Sequence, residues 1–511
     1  MTSSLTLSFL ATCRMALCLI ILFLIHAEPV RAQSSDAGLQ ASLNILSTER
    51  MLADIRALSA PIFNGRLAGS DDDVQSAKWV AQELAAARLQ LPPIMNGSLL
   101  FPFVTGEHGT PLGVMASIIP TSTIQPDPEL RIGSAEQLTA ATLGTDYLPI
   151  FDFPAANVQG RIIFVGYGII DPARGIDDYA GVDVTNRIVL FLRGKPEHYP
   201  KPVSHADKVR FARDRGALAY LTATGPILTP YEARRGVTGK PSAFYGQLPP
   251  DQAIPGAWIS TALAEQILAT SNDADRLRHL QEQLNKDGLS RAAQTDRYAS
   301  LRWNSVTQEG LLTNVIGLLP GTGPDAIIIG AHRDHFGRPA GLLFPGADDN
   351  ASGTAVMLDV ARALVKSGIR PQRTILFVSF SGEERDLLGS RLYVNRSILP
   401  LPSTKAMINI DHAGVGNGRL TVGVTGLDKS VAQTAGEPAG LASKLDVYGY
   451  FPGGDHVPFK EAGVPTITVV SGGIHAHYHQ PTDTVETINP DVLMTTARYV
   501  LSLAWQLANE P

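Results

Sequence analysis

From Asn314 to the C-terminus, short apolar runs alternate with a helical pattern, and this alternation constrains the fold more than any other feature of the chain. The runs at 326–329, 374–380, 406–410 and 465–470 read as buried strands, and 354–364 reads as an apolar helix. Strands that alternate with helices build βα units. The expected class is therefore α/β, with a mixed, largely parallel sheet flanked by helices.

The rest of the chain has other textures. Residues 51–91 read as helix-rich, with Asp71-Asp72-Asp73-Val74 as a helix start and Ala77, Trp79, Val80, Leu84 and Ala85 at near-helical spacing. Near Pro111 the pattern turns to short apolar runs broken by Pro and Gly, at 161–165, 187–192, 218–221 and 257–259, with one helix at 208–215. This reads as a β-rich unit inserted into the α/β domain. The expected organisation is 1–32 leader, 33–111 first part of the α/β domain, 112–300 inserted unit and 301–511 main α/β domain.

The leader is expected from Arg14, an apolar run at 15–25, and small residues before Gln33. That run is shorter than the ~20 residues of a spanning helix. Export, secreted or periplasmic, is the reading; an uncleaved anchor is the alternative, since 5–10 is also apolar. The two cysteines, Cys13 and Cys18, both lie in this segment, so no disulfide framework is expected downstream. Loss of Arg14, Arg31 and Glu28 takes the formal charge from −6 to −7. A mildly acidic chain argues against nucleic acid or an anionic membrane surface as partner.

The candidate chemistry sits just after the strands. His332 follows the first run, Glu383 and Glu384 the second, Asp411 the third, and His479 comes in the loop after the fourth; Asp348 precedes the helix. Sites in open α/β sheets lie beyond the carboxyl ends of the strands, so one sheet edge can gather this set. Imidazoles and carboxylates suit zinc. Paired Glu residues offer one ligand and one unbound base. Asp334, two residues after His332, is placed to accept the second imidazole N–H of a metal-bound histidine.

With these motifs, the chain resembles the secreted di-zinc aminopeptidases of the zinc exopeptidase type, a family that includes bacterial leucine aminopeptidases and relatives of glutamate carboxypeptidase and the transferrin receptor. Asn64–Ser70, Asn314-Val315-Ile316-Gly317, Gly346–Gly353, Asp455-His456-Val457-Pro458-Phe459 and Tyr478–Thr484 carry the resemblance. The stretch 112–300 is similar to a protease-associated domain through Gly166-Tyr167-Gly168, Asp178–Asp183 and Ile188–Leu192. The resemblance implies two zinc ions: His332 and Asp411 on one, Glu384 and His479 on the other, Asp348 bridging both, and Glu383 as general base. It also implies a cis peptide at Asp348–Asp349. His475 and Tyr478 would line the substrate pocket, with His477 nearby.

The implied activity is removal of N-terminal residues from peptides, with an apolar pocket selecting the side chain. Arg333, His412 and Gly454 depart from the family pattern, which bears on substrate preference. Alternatives on the same scaffold are a carboxypeptidase using Arg333 or Arg385, a dipeptidase, a glutaminyl cyclase, or a receptor-like protein without catalysis. The inserted unit is expected to shape the substrate entrance and to supply no ligand.

Overall fold

The computed structural model describes residues 36–90, 100–105, 111–228, 233, 237–450 and 452–510. The expected leader lies outside the described residues. Among the described residues, no helix is long and apolar enough to cross a membrane.

Among these residues the apolar runs after Asn314 form the centre of a nine-stranded sheet. Its order is Leu100–Thr105, Pro111–Ile124, Ser305–Leu319, Thr374–Phe380, Ala326–His332, Thr404–Asp411, Thr466–Ser471, Leu420–Thr425 and Leu445–Tyr448. The central strands, from Thr374–Phe380 to Thr466–Ser471, run parallel. The flanking pairings, with Ser305–Leu319 and Leu420–Thr425, are antiparallel.

Side chains alternate across this sheet, as the period of a strand requires. Ile327, Ile329, Ile375 and Phe377 pack against the helices Thr48–Leu58, Asp71–Ala86, Gly353–Lys366 and Pro490–Asn509. Ile328, Leu376 and Val378 pack on the other face, against Tyr393 and Phe459 from the helices Leu388–Asn395 and His456–Glu461. Each such buried side chain contributes roughly 1.5–3 kcal/mol. Ser70 caps the helix Asp71–Ala86 by accepting from the Asp73 N–H, and Asp71, Asp72 and Asp73 lie at the positive end of its dipole.

A second, eight-stranded sheet runs Leu138–Ala140, Glu129–Gly133, Ala293–Trp303, Ala156–Phe164, Ile188–Leu192, Ala219–Ala223, Gly256–Ile259 and Tyr147–Pro149. The expected boundary at 112 falls inside Pro111–Ile124, a strand of the first sheet. That strand pairs with Ser305–Leu319 from Ile124–Ser305 to Met115–Asn314, making one long ribbon. The chain leaves the ribbon after Ile124 and returns at Asn304, so the second sheet is inserted at the tip, where two chain ends already sit side by side. Pro and Gly in 111–120 had suggested a change of unit. Beyond Met115 the strand has only Ser305–Leu319 as a partner among the described residues, and a free edge tolerates Pro120.

Candidate metal centre

Strand ends build the centre. His332 and Asp411 are the last residues of the neighbouring parallel strands Ala326–His332 and Thr404–Asp411. His332 Nε2 lies 3.4 Å from Asp411 Oδ1. Glu383 and Glu384 follow Thr374–Phe380, on the other side of the His332 strand. His479 stands in the loop after Thr466–Ser471, 3.5 Å from Glu384 Oε2 through its Nε2.

Between these two pairs stands Asp349, which corrects the expected role of Asp348. Asp349 Oδ1 is 3.4 Å from His332 Nε2, and its Oδ2 is 3.1 Å from His479 Nε2. Asp348 points elsewhere: its Oδ1 accepts from the Gly414 N–H at 2.8 Å, and its Oδ2 faces His475 Nδ1 at 2.6 Å and His412 Nδ1 at 3.4 Å. The cis peptide joins Asp349 to Asn350, one bond later than expected. The Asp483 carboxylate orients the turn by accepting from the N–H groups of both Asp348 and Asp349. Burial and the nearby Asp348 push Asp483 up to about 8.

The other expected residues take the following places. Asp334 is fully buried, but its main-chain oxygen, at 3.2 Å, is nearer to His332 Nδ1 than its carboxylate, at 3.6 Å. The carboxylate instead accepts from the Glu383 N–H at 3.2 Å and so holds the paired-glutamate turn. Glu383 approaches His332 Nε2 only to 4.0 Å and stands outside every candidate ligand group. Burial pushes its carboxyl well above the usual carboxylate range, with His332 opposing. His475 is held at both ring nitrogens, by Asp348 and by the Ser471 carbonyl at 3.0 Å, and so cannot serve as a free substrate-binding group. Tyr478 stacks on His479 with ring centroids 3.7 Å apart. Val415, His412, His475, His477, Tyr478 and the acidic turn line a crevice too narrow to admit a water-sized probe.

Two histidines were missed as members of the centre. His335 Nδ1 is 2.8 Å from Glu384 Oε1, and His335, Asp349 and Glu384 form a candidate ligand group beside His332, Asp349 and Asp411. His412, noted only as a departure from the family pattern, directs Nε2 to within 3.7 Å of Asp349 Oδ2. The signal for His335 was its place in the loop that begins directly after His332.

The donor set fits a cation. His332 Nε2, His335 Nε2 and Asp411 Oδ1 are buried without a hydrogen-bond partner, a costly state for polar atoms. Burial together with the neighbouring carboxylates raises Glu384 well above its ordinary range. A divalent cation satisfies the orphaned atoms and offsets the crowded negative charge. Imidazole nitrogen and carboxylate oxygen are the donors that zinc takes.

Residues 314–504 match Peptidase family M28. Leucine aminopeptidase 1 of Ajellomyces dermatitidis is 30% identical over 216 residues, which cover 38% of this chain and 56% of that protein. Aminopeptidase YwaD of Bacillus subtilis is 31% identical over 196 residues, covering 36% and 41%. This chain thus spans little more than half the length of the first relative, and less of the second. The aminopeptidase from Aneurinibacillus sp. strain AM-1 has the same fold, with a TM-score of 0.64 at 21% identity over 93% of this chain and 97% of its own. So does the Peptidase M28 precursor from Shewanella amazonensis SB2B, with a TM-score of 0.66 at 18% identity over 93% and 98%. The match to peptidase family M28 is thus confined to segment 314–504, and the likeness over the rest of the chain is one of fold.

Proposed function

We propose that this chain is an exported, zinc-dependent aminopeptidase that holds two zinc ions and removes N-terminal residues from peptides. The observation that carries the reading is Asp349, set between His332 with Asp411 on one side and His479 with Glu384 on the other, while Glu383 stands beside them as a non-ligand. The names of the relatives support peptides as substrates, and the imidazole and carboxylate donors support zinc as the metal. The apolar segment before Gln33 supports export, and the inserted sheet is read as a protease-associated module.

In this mechanism His332 and Asp411 would hold one ion and His479 and Glu384 the other, Asp349 would serve both, and His335 braces Glu384. When bound, zinc supplies Lewis acidity, polarising the scissile carbonyl and lowering the pKa of the attacking water. Glu383 accepts the proton of that water and returns it to the leaving amine. Asp334 fixes the glutamate turn through the Glu383 N–H. Of the two alternative cations for a carboxypeptidase, Arg333 or Arg385, Arg333 is consumed: it is fully buried against Asp73 at 2.9 Å and the Thr313 carbonyl at 2.6 Å.

The test is a panel of aminoacyl anilides against N-blocked peptides, with and without a chelator. Chelator-sensitive release from the free-amine substrates alone is the expected result. Release from N-blocked peptides, or turnover unaffected by chelation, would sink the reading.

A further inference from the structure

The zinc reading gives His479 a task that its own sheet does not secure. His479 lies in a loop and has a left-handed backbone, φ 54°. Its ring is steered from the inserted module. His479 Nδ1 lies 3.0 Å from the Ala243 carbonyl oxygen, which can only accept, so Nδ1 carries the proton. The lone pair of the neutral ring is then on Nε2, which faces Asp349 and Glu384. The contact is reciprocal, since the Ala243 N–H donates to the His479 carbonyl at 3.0 Å. The next residue adds two more ties: Gln480 Nε2 donates to the Pro241 carbonyl at 2.8 Å and to Ser242 Oγ at 3.1 Å.

The supporting loop is itself anchored in the module. Both Asp152 oxygens accept from it, from the Gly246 N–H at 2.7 Å and the Gln247 N–H at 3.0 Å. Gly246 rests on the Phe153 ring so closely that a Cβ there would come within 1.9 Å of it. Tyr245 stacks on Phe336 at 5.1 Å, and Phe336 meets the His479 ring at 4.7 Å.

We propose that the inserted module is a positioning element for the His479–Glu384 metal site. Its loop 241–247, through the Ala243 carbonyl, fixes the tautomer and direction of His479, and so sets how tightly one of the two ions is held. This replaces the expectation that the module only shapes the entrance. The inference rests on the zinc reading.

The test uses the full-length protein loaded with zinc, and follows release of each ion to a chromogenic chelator. Asp152→Ala and Gly246→Ala loosen the loop without touching a ligand. Gln480→Met unties it from the other side and serves if the module variants do not fold. One ion should leave about 10–100-fold faster, the usual cost of losing such outer support, while the other leaves at the wild-type rate. Excess zinc should restore activity, which a collapsed fold would not allow. Wild-type release of both ions in folded variants, or equal loss of both, overturns the inference. Wild-type protein that takes up no zinc would instead remove the zinc reading beneath it.

Discussion

The two halves of the centre are held by different means. His332 and Asp411 end adjacent parallel strands, and their backbones are fixed by sheet hydrogen bonds and by core on both faces. His479 belongs to a loop and takes its orientation from Ala243, 236 residues away in the other sheet's module. Ring packing repeats the contrast. Phe336 and Phe344, which follow His335 in the peptidase segment, share a core with Phe151 and other residues of the inserted module. One half is thus built by the sheet alone, and the other exists only where two lobes pack.

The largest effect should come from the residue common to both halves. Asp349→Ala is expected to release both ions and abolish turnover, whereas Asp348→Ala should keep two ions per chain. Zinc stoichiometry after dialysis checks this, and the reverse result would restore the bridging role to Asp348. Next come the paired glutamates. Glu383→Gln should retain both ions and lose about 10²–10⁴-fold in turnover. Glu384→Gln should fall toward one ion, because a neutral amide replaces an anionic ligand. If the two phenotypes are exchanged, so are the roles.

The shared core offers a stability test. Phe336 is 1% exposed, and Phe336→Ala should cost about 3–5 kcal/mol of packing. Hydrogen exchange should show the loss concentrated in loop 241–247 and around His479, with the strand Ala326–His332 little changed. Uniform loss would argue against the contrast between the halves.

The smallest effect is a pH dependence confined to the inserted module. His205 is buried there, 2.9 Å from the Tyr220 hydroxyl and edge-on to Phe244, the neighbour of Ala243. Burial lowers its pKa from 6.5 to about 3. Above pH 6.5 both folded and unfolded chains hold it neutral. As pH falls below 6.5, the unfolded chain takes a proton that the folded one refuses, so stability drops by about 1 kcal/mol per pH unit. The difference between wild type and His205→Gln, read by hydrogen exchange of the module from pH 7 to 5, should show this slope. A flat difference would rule it out.

Much of the fold was legible because it is periodic. The alternation after Asn314 announced a mixed sheet with parallel central strands, and the positions of His332, Glu383, Glu384 and Asp411 at strand ends followed from it. Asp71–Asp73 marked a helix start for the same local reason. The module's apolar runs at 188–192 and 257–259 likewise became strands. The boundary near 112 falls inside the long ribbon because Pro and Gly break the apolar pattern there, and only pairing with Ser305–Leu319 assigns the strand to the first sheet.

What the sequence by itself determined was the kind of donor and its place along the chain: imidazoles and carboxylates, set just past buried strands. The choice between Asp348 and Asp349 belonged to the tertiary structure. Adjacent residues of one type are equivalent in composition and spacing, and the turn's backbone sends one toward His332 and His479, the other toward His412 and His475. His335 entered the centre in the same way, by where its loop runs. The support of His479 by Ala243 is least visible of all. A main-chain carbonyl has no signature in sequence, and a contact across 236 residues forms only when the two sheets pack against each other through their shared core.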